Sequence, residues 1–199
     1  MAHDRDVAAF AARAPDYELG WLGRVHRDIA DRTVDLALST CPRPHRVLDI
    51  GCGTGYLLRS LASRCPQAVA LYGVDPAAPM VDVARTRAHD ERLHFSSATA
   101  ENLPFVDRTF DLVVSTTSFD HWSDQQAGLV GCARVLGPGG HLVLVDQFSL
   151  WLAPTLVAGR RGKARTKRRC SRVLRAAGLR QPVWNNLYSV IVKAVTATA

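Results

Sequence analysis

The sequence predicts a doubly wound α/β fold, in which a mostly parallel sheet carries helices on both faces. Two observations lead to this prediction. From about Val47 onward, short runs rich in β-branched residues alternate with segments that have the period of an amphipathic helix. The first of these runs passes directly through a glycine-rich turn, Gly51–Gly55, into a helical segment.

Seven strands are expected, separated mostly by helical segments. The strand candidates are Arg46–Ile50, Val69–Val74, Leu93–Ser97, Phe110–Thr116, His141–Phe148, Leu179–Trp184 and Leu187–Ala194. The helix candidates are Thr54–Ser63, Met80–Ala88, Ser123–Val135 and Thr166–Ala177. In the last helix, apolar residues recur at the spacing i, i+3, i+4, i+7 from Cys170, which predicts that one face packs on the sheet.

The final two strand candidates nearly abut, since only Asn185 and Asn186 lie between them. A connection this short pairs its strands antiparallel, because a parallel connection needs about a dozen residues or more. The sheet is therefore expected to end in an antiparallel hairpin with its turn at Asn185–Asn186.

Residues 1–44 are expected to form a small helical cap, and residues 45–199 the domain that contains the sheet. Apolar residues in Leu22–Leu36 recur on one face of a helix, and Pro42 and Pro44 mark the boundary with the first strand. The N-terminal segment is too short for a separate domain. We therefore expect one compact domain, with the cap lying across the carboxyl edge of the sheet.

The composition is that of an ordinary globular protein, with 47% hydrophobic and 22% charged residues among 199. No apolar run approaches the roughly 20 residues that span a bilayer, and the first residues do not resemble a signal peptide. The five cysteines include no Cys-x-x-Cys pair, so neither a disulfide framework nor a metal site is predicted. These features predict a cytoplasmic protein.

The net charge of +7 comes from one segment. The stretch from Arg160 to Arg180 holds ten basic residues and no acid, and the rest of the chain has 15 basic against 18 acidic residues. The readings left open are a solvated helix face, peripheral membrane contact through residues 148–175, nucleic-acid contact and recognition of an acidic small molecule. Nucleic acid is disfavoured, because the segment lacks the aromatic residues on which bases stack.

The strongest functional signal is the turn Gly51-Cys52-Gly53-Thr54-Gly55. Its alternating glycines let the backbone turn sharply and approach a ligand without a Cβ atom in the way. The helix that follows offers unpaired N–H groups to a carboxylate or phosphate. The third glycine comes one position earlier than in the dinucleotide fingerprint G-x-G-x-x-G. Asp75 follows the second strand, where a carboxylate can bind ribose hydroxyls whether or not the ligand is a dinucleotide.

Five blocks extend this signal in a fixed order along the chain. They are Val47–Gly55, Tyr72–Pro76, Ala100–Phe105, Phe110–Ser115 and Arg134–Gly140. With these blocks, the chain resembles the class I S-adenosylmethionine-dependent methyltransferases of the small type 11 group over about residues 45–150. The resemblance implies a Rossmann-like domain with strand order 3-2-1-4-5-7-6 and an antiparallel last strand. It also implies an enzyme that uses S-adenosyl-L-methionine and releases S-adenosyl-L-homocysteine.

The resemblance also implies cofactor roles for residues near the carboxyl ends of the strands. Asp49 and the glycine-rich turn would hold the methionine end, Asp75 the ribose and Met80 the adenine side. In chain order, the expected cofactor residues are Tyr17, Asp49, Gly51, Cys52, Gly53, Gly55, Asp75, Pro76, Met80, Thr99, Ala100, Glu101 and Ser115. Thr99 stands where the family often has an aspartate that accepts from the adenine amino group, so this contact lacks the usual charge.

Acceptor chemistry is expected just after the fourth strand, in Phe119–Asp124. His121 could take a proton from an acceptor hydroxyl, with Asp120 or Asp124 orienting its ring. A pocket-lining role without proton transfer and a purely structural role stay open. The expected acceptor pocket comprises Trp21, His26, Asp120, Trp122, Phe148 and Trp151.

The predicted function is methyl transfer to a small, fairly apolar or aromatic molecule, because residues 148–156 are unusually apolar for a loop. One alternative is a membrane-surface methyltransferase with a lipid-like or quinone-like acceptor. A second is a non-catalytic protein that binds the cofactor or nucleic acid. The sequence predicts neither the methylated atom nor an oligomeric state.

Overall fold

A computed structural model describes residues 2–148, 163–188 and 191–199. Its centre is a seven-stranded sheet with the order β3-β2-β1-β4-β5-β7-β6. The strands are β1 Arg46–Ile50, β2 Ala70–Asp75, β3 Leu93–Ser97, β4 Phe110–Thr116, β5 Leu136–Gln147, β6 Arg180–Tyr188 and β7 Val192–Thr198. The first five strands pair in parallel, and β7 runs antiparallel between β5 and β6. The predicted order and the antiparallel last strand are confirmed.

Helices cover both faces of this sheet. They are α1 Ala2–Arg13, α2 Gly20–Thr40, α3 Tyr56–Arg64, α4 Ala78–Thr86, α5 Gln125–Val135 and α6 Lys167–Ala176. Short 3-10 turns lie at Ala14–Asp16 and Phe119–His121. In the described part of the chain, no helix combines the length and apolar character that crossing a membrane requires.

The predicted position of the hairpin turn is wrong. Asn185 and Asn186 lie inside β6, where they pair with Ala194 and Lys193 of β7, and β6 continues to Tyr188. β6 is an edge strand of the sheet. An edge strand tolerates polar side chains because one of its sides is not covered by a neighbouring strand. Two consecutive asparagines therefore did not mark a turn here.

Alternation along the central strands sends side chains into two apolar cores. From β4, Leu112 and Val114 pack with residues of α2 and α3, whereas Val113 packs with residues of α5 and α6 on the other face. Leu112 and Val113 are fully buried. Truncating a buried leucine such as Leu112 to alanine costs roughly 2–5 kcal/mol, since the cavity collapses only in part. The same alternation turns the two polar side chains at the end of β4, Ser115 and Thr116, to opposite faces of the sheet.

Candidate active site

The glycine-rich turn joins β1 to α3 at the carboxyl edge of the sheet. Gly51 and Gly53 have φ angles of 75° and 52°, which favour glycine. A Cβ atom on Gly51 would lie 2.3 Å from the Ser118 side chain, whereas one on Gly53 would meet only the Tyr17 ring, at 3.8 Å. Glycine is thus required at position 51 because the Ser118 side chain leaves no room for a Cβ atom. Gly53 instead borders space that a ligand can enter.

A first pocket, enclosing about 700 Å³, lies beside this turn and is lined by Gly51, Gly53 and Tyr17. Two groups of predicted cofactor residues line its other walls. Asp75, Pro76 and Met80 line it from β2 and α4, and Thr99, Ala100 and Glu101 line it from the loop after β3. The structure therefore brings most of the predicted cofactor residues to one cavity.

Asp75 is fixed by two backbone amides. Its Oδ2 accepts from the Gly53 amide at 3.0 Å, and its Oδ1 accepts from the Ala77 amide at 2.9 Å. Burial raises the pKa of Asp75, while these two hydrogen bonds act in the opposite direction. Each carboxylate oxygen keeps capacity for one more hydrogen bond, which is what two ribose hydroxyls would need.

Glu101 is held on the opposite wall of this pocket. Its carboxylate accepts from the Asp124 amide and from the Ser123 hydroxyl, both at 2.9 Å. Burial alone would raise the pKa of Glu101, but these hydrogen bonds and one from the Thr99 side chain lower it. Thr99 thus donates toward Glu101, so its hydroxyl oxygen stays able to accept a hydrogen bond at the pocket wall.

A second pocket, of about 510 Å³, lies on the other side of the turn and shares Gly51, Gly53 and Tyr17 with the first. Asp49 and Cys52 line it, as expected of residues at the methionine end. Burial raises the pKa of Asp49 to about 8, and the charge of Asp75 adds to this effect. A cationic group in this pocket would therefore stabilise the ionised Asp49.

Three buried side-chain atoms lack a hydrogen-bond partner within the described ranges: His26 Nδ1, Asp49 Oδ1 and Thr116 Oγ1. All three residues line this second pocket. Buried polar groups are rarely left unpaired in native proteins, because an unmade hydrogen bond costs about 1–3 kcal/mol. Their shared position indicates that a polar part of a ligand belongs here.

Two predicted cofactor residues lie away from both pockets. The Ser115 side chain is fully buried, and its hydroxyl is 2.8 Å from that of Ser118. Strand alternation turns Ser115 to the α5 face, so the next residue, Thr116, faces the pocket instead. Gly55 packs against Phe95, because a Cβ atom on Gly55 would lie only 2.7 Å from the Phe95 ring. Sequence reasoning missed Thr116, although the polar run at the end of β4 was a signal.

His121 lies at the edge of the first pocket, on the turn that follows β4. Its Nδ1 is 2.9 Å from Oδ2 of Asp6. The prediction that Asp120 or Asp124 orients this ring is wrong. Asp124 instead caps α5 by accepting from two backbone amides, and Asp120 pairs with Arg165. The carboxylate beside His121 comes from α1, which no local pattern could indicate.

Aromatic rings from the N-terminal segment close the two pockets. Tyr17 stacks on His26 with ring centroids 5.0 Å apart, and Phe10 meets the His121 ring edge-on, also at 5.0 Å. Burial raises the pKa of Tyr17, and burial with the charge of Arg13 lowers the pKa of His26. Both rings are thus favoured in their neutral forms.

Glu18 anchors this N-terminal segment to the sheet domain. Its Oε1 accepts from the Thr54 hydroxyl at 2.5 Å and from Arg59 at 2.9 Å, and it lies 2.6 Å from Arg87. Burial acts to raise the pKa of Glu18, but these partners lower it. The anchor keeps the neighbouring Tyr17 over the glycine-rich turn.

The other predicted acceptor residues have mixed positions. Trp122 lines the first pocket and donates from Nε1 to the Ser118 hydroxyl at 3.2 Å. Trp21 is 68% exposed and lines neither pocket, and Phe148 is buried against Phe119 and Trp184. Trp151 and the other residues of 149–162, which include Arg160 and Arg161, lie outside the described residues.

The sequence also matches known proteins. The family described as methyltransferase domain matches residues 48–144. A demethylmenaquinone methyltransferase of Thermus thermophilus is 40% identical over 144 residues, which cover 69% of this chain and 63% of that protein. The enzyme of the same name from Deinococcus radiodurans is 38% identical over 142 residues, covering 69% and 58%. The chain thus spans about three fifths of the length of these curated relatives.

Solved structures show the same fold at low identity. A chain from the complex of the Haloferax volcanii Trm112 methyltransferase activator superposes with a TM-score of 0.81 at 22% identity, over 96% of this chain and 97% of that chain. The YcgJ protein of Bacillus subtilis superposes with a TM-score of 0.65 at 22% identity, over 83% and 95%. The match extends beyond the central sheet to nearly the whole chain in the first case.

Proposed function

Because the chain belongs to the class I S-adenosylmethionine-dependent methyltransferases of the type 11 group, we propose that it methylates a small aromatic acceptor that carries an ionisable hydroxyl, such as a quinol. One observation carries the proposal. The His121–Asp6 pair borders the same cavity that Gly53 and Asp75 line. A proton acceptor and the expected cofactor-binding residues therefore meet in one place.

The two pockets on either side of the glycine-rich turn fit the cofactor, S-adenosyl-L-methionine. Asp75 would bind the ribose, and the pocket wall at Met80 and Thr99 would take the adenine. The unpartnered Asp49 Oδ1 and Thr116 Oγ1 would pair with the ammonium group of the methionine end. Once bound, the cofactor supplies a methyl group that is already activated on a sulfonium.

The protein's part in the reaction is to orient the acceptor and to move its proton. His121 would accept a proton from the acceptor hydroxyl, while its Nδ1 lies within hydrogen-bond distance of Asp6. Asp6 holds the ring in place and stabilises the positive charge that forms on it. Phe10 and Trp122 exclude water and give a flat ring an apolar surface to lie on.

Two lines of support favour a quinol-type acceptor over other small molecules. The residues around His121 are aromatic, which suits a planar ring better than a charged amino acid or a dicarboxylic acid. The two relatives described above are named demethylmenaquinone methyltransferases, and the reduced form of a demethylmenaquinone is an apolar naphthoquinol with two ionisable hydroxyls.

A direct test incubates the protein with S-adenosylmethionine and three probe acceptors: a short-chain 2-prenyl-1,4-naphthoquinol, histamine and malonate. The expected result is a mass increase of one methyl group on the naphthoquinol, with S-adenosylhomocysteine released in equal amount. Transfer only to the amine or the acid would contradict the acceptor class. Tight cofactor binding without transfer to any probe would favour a non-catalytic role.

A specific observation favours a second candidate, methyl transfer at a membrane surface. Helix α6 exposes five basic residues, and none of them has an acidic partner in the part of the chain that the structure describes: Lys167, Arg168, Arg169, Arg172 and Arg175. An anionic lipid surface attracts such residues by about 1 kcal/mol each. An acceptor with an isoprenoid tail would reside in that surface. A cytoplasmic location and the boundary of the cap at residue 44 stay predictions.

A further inference from the structure

Residues 163–165 of the basic segment lie against the turn that carries His121. The Ala164 amide donates to Gln125 Oε1 at 2.6 Å, and Gln125 Nε2 in turn donates to the Phe119 carbonyl at 2.9 Å. The Lys163 amino group donates to the Trp122 carbonyl. Residues 163–165 are therefore joined to both ends of this turn.

Arg165 makes the central contact. Its Nε donates to Asp120 Oδ1 at 2.6 Å, and its Nη2 donates to Asp120 Oδ2, so the pair is bidentate. Only 10% of the Arg165 side chain and 11% of the Asp120 side chain are exposed. A bidentate guanidinium–carboxylate pair fixes direction as well as distance. Although Arg165 belongs to the basic segment, it is not part of the exposed charge of α6.

A second carboxylate holds the same turn from β5. The Asp120 amide donates to Oδ2 of Asp146 at 3.0 Å, and Asp146 is 5% exposed. Burial raises the pKa of Asp146, and hydrogen bonds from the Gln147 and Asp120 amides oppose this. The guanidinium of Arg165 pairs with Asp120 and also attracts Asp146. Without it, the like charges of two buried carboxylates would repel each other, and we expect the turn to shift.

We propose that Arg165 is a positioning residue for methyl transfer, acting through Asp120 on His121. Asp120 points back to Arg165, while the next residue, His121, faces the pocket. Holding Asp120 therefore sets the angle at which His121 meets Asp6 and the acceptor. This role rests on the proposed function, since it assumes that His121 accepts the proton.

Kinetics with the naphthoquinol test the role. In Arg165→Gln and in Asp120→Asn, we expect kcat per cofactor-binding site to fall at least about tenfold, because a small misplacement of a proton acceptor is costly. Affinity for S-adenosylhomocysteine should stay within about twofold, because neither residue lines the cofactor pockets. The double variant should lose no more than the stronger single variant, since both remove one contact. Arg165→Lys should recover part of kcat. Arg24→Gln is the control, because Arg24 is an exposed arginine of α2 that lines neither pocket.

Counting only the sites that bind S-adenosylhomocysteine separates positioning from loss of folded protein. A destabilised but correctly arranged protein would keep kcat per binding site. Values within about twofold of the parent in both single variants would therefore overturn the proposal.

A nuclear Overhauser measurement tests the positioning without turnover. The ring centroids of His121 and Phe10 are 5.0 Å apart, as are those of Tyr17 and His26. In Arg165→Gln, the cross-peak between His121 and Phe10 should weaken, while that between Tyr17 and His26 should persist. An unchanged His121–Phe10 cross-peak would overturn the proposal. A parent protein without turnover would defeat the proposed function alone, and the cross-peak would then decide the role of Arg165.

Discussion

The proposed site has a cofactor half, at the glycine-rich turn, and an acceptor half, at His121, and these two halves are built in different ways. In the cofactor half, Asp75 accepts hydrogen bonds from Gly53 and Ala77, which are 22 and two residues away. In the acceptor half, the partner of His121 is Asp6, 115 residues away in the chain. The first half follows from strand ends that a parallel sheet places side by side. The second half forms only when the N-terminal segment packs against the domain.

Because of this difference, we expect substitutions in the two halves to change different properties of the protein. The cofactor half depends on backbone conformation, so substitutions there act on ligand affinity. The acceptor half depends on side chains that hold one another, so substitutions there act on turnover. The predictions that follow test this division from the largest expected effect to the smallest.

Removing the proposed proton acceptor, His121, should give the largest effect. In His121→Ala, we expect kcat with the naphthoquinol to fall about a hundredfold or more, because a positioned base contributes typically 10²–10⁴-fold. Affinity for S-adenosylhomocysteine should change by less than about twofold. Part of the loss should be recovered at high pH, where the acceptor hydroxyl ionises without help. Stopped assays over a pH series with calorimetry check both quantities.

Asp6→Asn is the companion variant for His121→Ala. It removes the charge that orients the His121 ring but keeps the size of the side chain, so a smaller fall of about tenfold is expected. Equal turnover in His121→Ala and the parent would remove His121 from the chemistry. Methyl transfer would then depend only on holding the acceptor close to the methyl group, without a general base.

A methyl group at Gly53 should lower cofactor affinity without slowing methyl transfer from the bound cofactor. The Cβ atom of Gly53→Ala has room in the free protein, but it would occupy space that the bound cofactor needs. We expect affinity for S-adenosylhomocysteine to fall at least about tenfold, or roughly 1.4 kcal/mol, by calorimetry. Gly139→Ala is the matched control, because Gly139 also has a positive φ, of 75°, with nothing within 4 Å of its Cβ position.

Both variants should lose similar stability, since an alanine at positive φ costs about 1 kcal/mol wherever it lies. Only Gly53→Ala should lose affinity. A comparable loss of affinity in Gly139→Ala would mean that backbone strain is felt at the site from a distance. The proposed division between the two halves would then fail for the cofactor half.

The cofactor half was predictable because its residues sit in short motifs. The turn Gly51–Gly55 and Asp75 follow strands whose β-branched runs are plain in the sequence, and the parallel order brings them together. Ser115 was misplaced by one residue, because the sequence did not show which face of β4 covers the cofactor. Thr116, one step along the strand, has the unpartnered hydroxyl.

The acceptor half was predicted only in part. His121 and Trp122 were found from their place after β4, but the acid beside His121 was sought within three residues of it. Neighbouring acids had local partners that propensity rules indicate only weakly: Asp124 caps α5, and Asp120 pairs with Arg165. Contacts across such separations depend on how the segments pack, which one sequence does not specify.

The pH dependence of cofactor binding tests Asp49. Its pKa of about 8 in the folded free protein compares with about 3.9 for an ordinary aspartate. Because the folded state holds this proton more tightly, the stability of the free protein should fall as pH rises from about 4 to 8. A ligand ammonium favours the ionised carboxylate, so affinity for S-adenosylhomocysteine should rise up to about tenfold between pH 6 and 7.

The rise should level off near pH 8, because Asp49 is then already ionised in the free protein. Calorimetry at several pH values measures the slope. In Asp49→Asn, affinity should be weaker at pH 8 and nearly independent of pH below it. A parent protein whose affinity is flat from pH 6 to 7 would show that the ammonium group does not meet Asp49.

The smallest effect is expected on the exposed face of α6, which belongs to neither half of the site. Replacing Arg168, Arg172 and Arg175 by glutamine should leave turnover of the short-chain naphthoquinol within about threefold, because these side chains are exposed and line neither pocket. Adding vesicles that contain anionic lipid separates the remaining readings. Two results together would show that α6 binds a membrane surface. The parent would bind such vesicles with an affinity that falls with salt, and the variant would turn over a long-chain naphthoquinol poorly only when vesicles are present. A large loss without vesicles would mean that these arginines recognise an acidic acceptor directly, and the aromatic-acceptor proposal would be wrong.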